Sequence, residues 1–131
     1  MKITADTNVL VRALVQDDAE QARAASALLE QAELVAIPLP VVWELVWVLR
    51  RVYGFTRADC MGAIEALMAS QSVVADRPAV AAGLQLLASG GDFADGVIAF
   101  GGRLLGSEQL ATFDRNAARL LSEAGEPVLL L

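Results

Sequence analysis

Five short apolar runs alternate along this chain with longer stretches of helical periodicity, and that alternation restricts the fold more than any single residue does. The runs lie at residues 2–5, 34–37, 73–75, 110–113 and 128–131. Between them, residues 18–32 set Ala22, Ala25, Leu28, Leu29 and Ala32 at the spacing of one apolar helix face. Residues 41–52 are nearly all apolar and too long for an ordinary strand, so they predict a largely buried helix, entered after Pro38 and Pro40 and stopped at Gly54. Thr56 with Asp59 three residues on resembles a capping box for a helix reaching about Ser70. Pro78 falls in the first turn of a helix ending near Ser89, and further helices are expected over residues 95–105 and 116–124. Apolar strands separated by helices predict an α/β fold of three layers, a five-stranded, mainly parallel sheet flanked by helices. Ligands in such sheets bind at the carboxyl ends of the strands.

The length, 131 residues, suits a single domain over residues 1–131. An apolar content of 56% with a net charge of −6 excludes disorder. Cys60 is the only cysteine, which excludes an intrachain disulfide and a thiolate-rich metal site. The chain has no histidine, so imidazole bases, histidine-containing triads and histidine-bound zinc are all excluded. Any catalysis must use carboxylates, hydroxyls, arginine or a bound ion. The longest apolar segment, residues 34–49, contains Pro38, Pro40 and Glu44. It is shorter than the roughly 20 residues that a bilayer demands, so no membrane span is expected. The start of the chain lacks a signal-peptide pattern, and a cytoplasmic, reduced location is expected. An acidic pI near 4.5 argues against loose, charge-driven binding to nucleic acid. It leaves room for a nucleic-acid enzyme whose acids are neutralised by metal.

Acids recur where the fold places ligands. Asp6 follows the first strand and Asp114 the fourth; Asp92 and Asp95 open the helix after Gly90 and Gly91; Glu44 is the only charge between residues 36 and 49. Four segments thus each deliver an acid toward one expected sheet edge. Two carboxylates about 5 Å apart repel by about 3 kcal/mol at an effective dielectric of about 20. A cluster of four therefore requires protonation or a cation. Oxygen ligands without histidine or cysteine suit Mg²⁺ or Mn²⁺, and such ions activate water and neutralise a phosphate during phosphodiester hydrolysis.

Each acid also has a local explanation. Asp6 serves as the cap of a helix beginning near Asn8. Glu44 favours the positive end of its helix, at a high cost if buried among Val41, Val42, Trp43, Leu45, Val46 and Trp47. Asp92 and Asp95 fit the N-cap and first turn of one helix, and Asp114 with Arg115 fits a turn with a local ion pair. Independent decorations have no reason to converge on one edge, which favours the joint reading.

Four runs carry a family resemblance. Ile3-Thr4-Ala5-Asp6-Thr7-Asn8-Val9-Leu10, Pro40-Val41-Val42-Trp43-Glu44-Leu45, Gly91-Asp92-Phe93-Ala94-Asp95-Gly96-Val97-Ile98-Ala99 and Ala111-Thr112-Phe113-Asp114-Arg115 together resemble, in order, the motifs of PIN-domain nucleases. The length is similar to that of VapC-type toxins of toxin–antitoxin pairs. The resemblance implies a Mg²⁺- or Mn²⁺-dependent endoribonuclease acting on RNA, a homodimer, and neutralisation by a cognate antitoxin. Asp6, Glu44 and Asp95 match the family's three core acids and Asp114 the more variable fourth. Asp92 has a looser counterpart, Thr112 matches a frequent hydroxyl and Asn8 a frequent polar neighbour, with capping and turn hydrogen bonds as the competing explanation for these last two. Gly96 departs from the small apolar residue usual there; with Gly101 and Gly102 it lowers helicity by roughly 1 kcal/mol per glycine. That predicts a helix that is either frayed or packed closely on a neighbour.

Two readings of other classes compete: a catalytically inactive PIN fold that binds RNA or a partner, and a phosphoryl-transfer enzyme with Asp6 as nucleophile. The second is weakened because Asn8, not a second Asp, lies two residues on, and because Lys2 is the only lysine. Trp43 and Trp47, i and i+4, are expected in core or dimer packing rather than on a stacking surface. Arg12, Arg103 and Arg115 are candidate phosphate contacts. Cys60 is expected in the core, and residues 128–131 as a buried strand.

Overall fold

A computed structural model describes all residues from Met1 to Leu131. The chain divides into two compact units, Met1–Asp76 and Arg77–Leu131. No helix is long and apolar enough to cross a membrane.

The first unit runs β1 (Lys2–Thr4), α1 (Thr7–Val15), α2 (Ala19–Gln31), β2 (Leu34–Ile37), α3 (Leu39–Arg51), α4 (Arg57–Ala69) and β3 (Val73–Ala75). Its strands form a parallel sheet in the order β1-β2-β3, with Thr4 opposite Ala36 and Ile37 opposite Ala75. Val35 and Ile37 of β2 and Val73 of β3 are buried, as the central position of β2 requires. Leu10, Val42, Leu45, Leu49, Cys60 and Ile64 complete this core from the helices. Cys60 is therefore a core residue, as expected; burial pushes its thiol up, against the opposing pull of Arg50.

Local signals set the element ends. Asp18 caps α2 by accepting the Gln21 N–H at 3.0 Å, and Thr56 caps α4 by accepting the Asp59 N–H at 3.0 Å. Helix α3 starts two residues earlier than expected, at Leu39, because Pro40 sits in the first turn, where its missing N–H costs nothing. It ends before Gly54, whose φ of +67° is a left-handed conformation that other residues adopt only with strain. The expectation that this helix is largely buried holds for one face only. Val42, Leu45, Val46 and Leu49 face the core, whereas Trp43, Glu44 and Trp47 are exposed.

The second unit runs α5 (Arg77–Ala88), α6 (Phe93–Leu104), β4 (Leu110–Thr112), α7 (Arg115–Glu123) and β5 (Val128–Leu130). Leu86, Ala99, Leu120 and Leu121 form its core, with Leu110 and Val128 packed against them. Strands β4 and β5 pair in parallel, Leu110 opposite Val128. The α/β class and the parallel pairing are as expected, but the strands form three- and two-stranded sheets, not one of five. An apolar run announces a strand, yet its partner is chosen by contacts remote in sequence, and three-residue strands carry few ladder bonds to enforce a larger sheet. The end of the chain also departs from the expected buried strand, since Leu129 and Leu130 are exposed.

The glycines of α6 resolve the question of fraying. A Cβ at position 96 would collide with the Ala82 carbonyl oxygen and lie 3.0 Å from Gly83 Cα. The Phe93 ring fills the space above Gly83. Helices α5 and α6 thus meet backbone to backbone, and Gly96 holds α6 in place instead of loosening it.

Candidate functional site

In the first unit β1 and β2 run side by side in the same direction, and Ala5 N–H donates to the Ala36 carbonyl at 3.0 Å. Their carboxyl ends therefore open on one edge, with Asp6 directly beyond β1 and α3 directly beyond β2. Asp6 is the N-cap of α1: its carboxylate accepts the Thr7 N–H at 2.8 Å, so the capping role expected of it is real. One carboxylate offers about four acceptor sites, and a single backbone bond leaves most of them available. Asn8 lies exposed in the first turn of α1, lining a groove with Val9, Arg12, Gln21 and Leu28.

Glu44 is the sixth residue of α3, beyond the first turn, so helix-dipole stabilisation does not account for it. Nor is it buried among its apolar neighbours, as its sequence surroundings suggested. At 100° per residue, the face that buries positions 42, 45, 46 and 49 turns 43, 44 and 47 outward. Glu44 instead shares an open cleft of about 300 Å³ with Pro40, Trp43 and Trp47. Of the core or dimer packing expected for the two tryptophans, the core half is thereby overturned: they are 45% and 55% exposed. Their spacing opposite the apolar stripe was the signal that placed them outside.

In the second unit three acids influence one another electrostatically. Asp92 precedes α6 at the capping position, but its carboxylate makes no capping bond, unlike those of Asp6, Asp18 and Asp114. Asp95 lies half-buried in the first turn of the same helix. Burial raises its pKa above the ordinary carboxylate value, and the negative charges of Asp92 and then Asp114 push it further in that direction. Asp114 caps α7 by accepting the Ala117 N–H at 3.0 Å, and its own N–H donates to Thr112 Oγ1 at 3.0 Å. Thr112 therefore orders the turn that carries Asp114.

Basic residues do not neutralise these acids. Arg12 is tied to Asp17 at 3.1 Å and to Gln21, and Arg103 to Glu126 at 2.9 Å with its guanidinium over the Phe100 ring. Arg115 is exposed at the start of α7. Within neither unit do three acids stand close enough to one another to grip a single ion. The donor set is nonetheless all carboxylate oxygen, and the raised Asp95 is repelled by its neighbours in the way a divalent cation relieves. These residues fit Mg²⁺ or Mn²⁺ chemistry and do not fit zinc.

No curated protein matches this chain. The PIN domain family matches it over residues 3–121, a span that holds all five of these acids and the elements from β1 into α7. The acids at strand ends and on helices, on an α/β fold matched through nearly its whole length, lead to one conclusion: the chain belongs to the PIN domain family, whose members are generally nucleases.

Proposed function

We propose that this chain is a Mg²⁺- or Mn²⁺-dependent endoribonuclease, one nuclease domain over residues 1–131 that serves as the toxin of a type II toxin–antitoxin pair. Asp6, Glu44, Asp95 and Asp114 would hold the ion, with Asp92, Thr112 and Asn8 in support. The observation that carries this reading is the surroundings of Asp95, a half-buried carboxyl repelled by the charges of Asp92 and Asp114 with no basic partner. An isolated fold gains nothing from such repulsion, and a cation converts it into attraction.

When bound, the ion supplies a water of lowered pKa and neutralises charge at the phosphate. The protein's own part is to aim. Thr112 fixes the turn of Asp114, the Thr7 N–H fixes one oxygen of Asp6, and Gly96 seats the helix of Asp95 against α5. In-line attack of water on phosphorus breaks the bond to the leaving sugar oxygen. With no histidine present, no side chain with an ordinary pKa near neutrality competes for that role. Partners on this reading are an RNA substrate, a second copy of the chain in a homodimer and a cognate antitoxin, in the cytoplasm.

Purified protein free of antitoxin is expected to cut single-stranded RNA with Mg²⁺ or Mn²⁺ and to stop on chelation. Full cleavage by Asp95→Asn would remove the assigned site. The second reading, an inactive PIN fold that binds RNA or a partner, draws on the spacing of the acids, too wide within either unit for three to share an ion. It predicts RNA binding that is indifferent to metal, with no cleavage at any concentration.

A further inference from the structure

The cleft beside Glu44 has walls that the chemistry of the acids does not require. Pro40, Trp43 and Trp47 line it together with the Glu44 carboxylate, in a space of about 300 Å³. The indoles stand one helical turn apart on the face of α3 opposite its buried residues, and both are about half exposed. Tryptophan in that position gains little for folding while leaving a large apolar area in water.

We infer that Trp43 and Trp47 form a stacking site for an unpaired base of the substrate RNA, adjoining the phosphate that would meet the ion at Glu44; the inference rests on the nuclease reading above. Two arguments select this occupant. First, a chain of net charge −6 draws little affinity from phosphate contacts, so a single-stranded substrate has to be held by something other than charge. Base stacking on an aromatic face supplies that, and does so for every base because each has a π-face. Second, a second copy of this chain seated on the same face would bury the Glu44 carboxylate. A protein surface laid over the cleft would close that carboxylate off from a cation, whereas a base resting on the indoles leaves it open toward one.

Trp43 and Trp47 are the only tryptophans in the chain, so intrinsic tryptophan fluorescence reports this cleft alone. The full-length protein is titrated, with Ca²⁺ in the buffer, with a short unstructured oligoribonucleotide and with an abasic ribose-phosphate chain of equal length. The RNA is expected to quench the fluorescence saturably and the abasic chain to leave it unchanged. In the cleavage assay the Trp43→Leu/Trp47→Leu protein should raise KM about tenfold, the loss of roughly one stacked base. Its kcat should stay within about threefold, since stacking holds substrate and transition state alike. The Trp43→Phe/Trp47→Phe protein, which keeps aromatic faces in place, should retain most of the wild-type KM. Cleavage by the wild type with no quenching, and an unchanged KM in the leucine variant, would overturn the stacking site while leaving the nuclease intact. The stacking site falls equally if the leucine variant merely converts a dimer to a monomer in sedimentation, because the occupant is then a second copy. Quenching by RNA without cleavage would keep the stacking site and remove the nuclease reading; a wild type that neither binds nor cuts RNA removes both.

Discussion

Glu44, midway along α3, and Asp95, in the first turn of α6, are held in opposite surroundings. Helix α3 is anchored by Val42, Leu45, Val46 and Leu49, large side chains that keep its backbone away from its neighbours and leave the far face to Trp43, Glu44 and Trp47. Helix α6 is anchored by the absence of side chains, with Gly96 against Ala82 and Gly83. Asp95, in the first turn of that helix, is half-buried and feels the negative charges of Asp92 and Asp114. One acid is thus free in solvent beside an aromatic cleft, and the other is desolvated among like charges. How closely a helix packs decides whether its acid is merely available or electrostatically unsatisfied.

The largest effects should come from removing either acid. Asp95→Asn and Glu44→Gln are each expected to lower metal-dependent cleavage about a hundredfold or more, the scale on which a transition state suffers when one electrostatic partner is removed. Their stabilities should part company. Without metal, Asp95→Asn should melt above the wild type because a repelled, desolvated charge is gone, and Glu44→Gln should melt with the wild type. The rise in melting temperature that Mn²⁺ gives the wild type should shrink in both variants.

Packing is tested next, within α6 itself. Gly96→Ala is expected to destabilise by about 1–3 kcal/mol in urea unfolding, because the Cβ meets backbone that has nowhere to go. Gly101→Ala, with nothing within 4 Å of its Cβ, should stabilise by about 0.5–1 kcal/mol instead. Equal effects at the two positions would remove the close helix approach as the reason for the seating of Asp95.

Capping gives a smaller contrast. Asp114→Ala removes a bond to the Ala117 N–H and should cost about 1 kcal/mol. Asp92→Ala removes no such bond and should cost well under half of that, in the same unfolding experiment. The smallest effect is on pH. The raised pKa of Asp95 means that the folded state holds this proton more tightly than the unfolded chain does. Metal-free stability should therefore increase as pH falls through that raised value, level off below the ordinary carboxylate range, and be lost again as pH rises. The difference in stability between wild type and Asp95→Asn, followed against pH, isolates this contribution; a flat difference would show that Asp95 titrates normally.

Much of the fold was legible because it is written in local patterns. The spacing of Ala22, Ala25, Leu28 and Leu29, the Thr56–Asp59 pair and the strands at Leu34–Ile37 and Val73–Ala75 depend on neighbours within a few residues. The acids were legible for a related reason, since nearly all of them end a strand or open a helix. The exposure of Trp43 and Trp47 was available in the same periodicity but was outweighed by their size and apolarity. Helix α1 left a trace only in the capping role considered for Asp6.

The residues in order determined the element types, the parallel α/β class and the absence of histidine chemistry, because all of these follow from side-chain character and short-range spacing. Only the tertiary structure decided that the strands divide three and two, that Gly96 seats a helix instead of fraying it, and that Asp95 bears its neighbours' repulsion. Those outcomes turn on distances between segments far apart in the chain, and a few ångströms between backbones decide them.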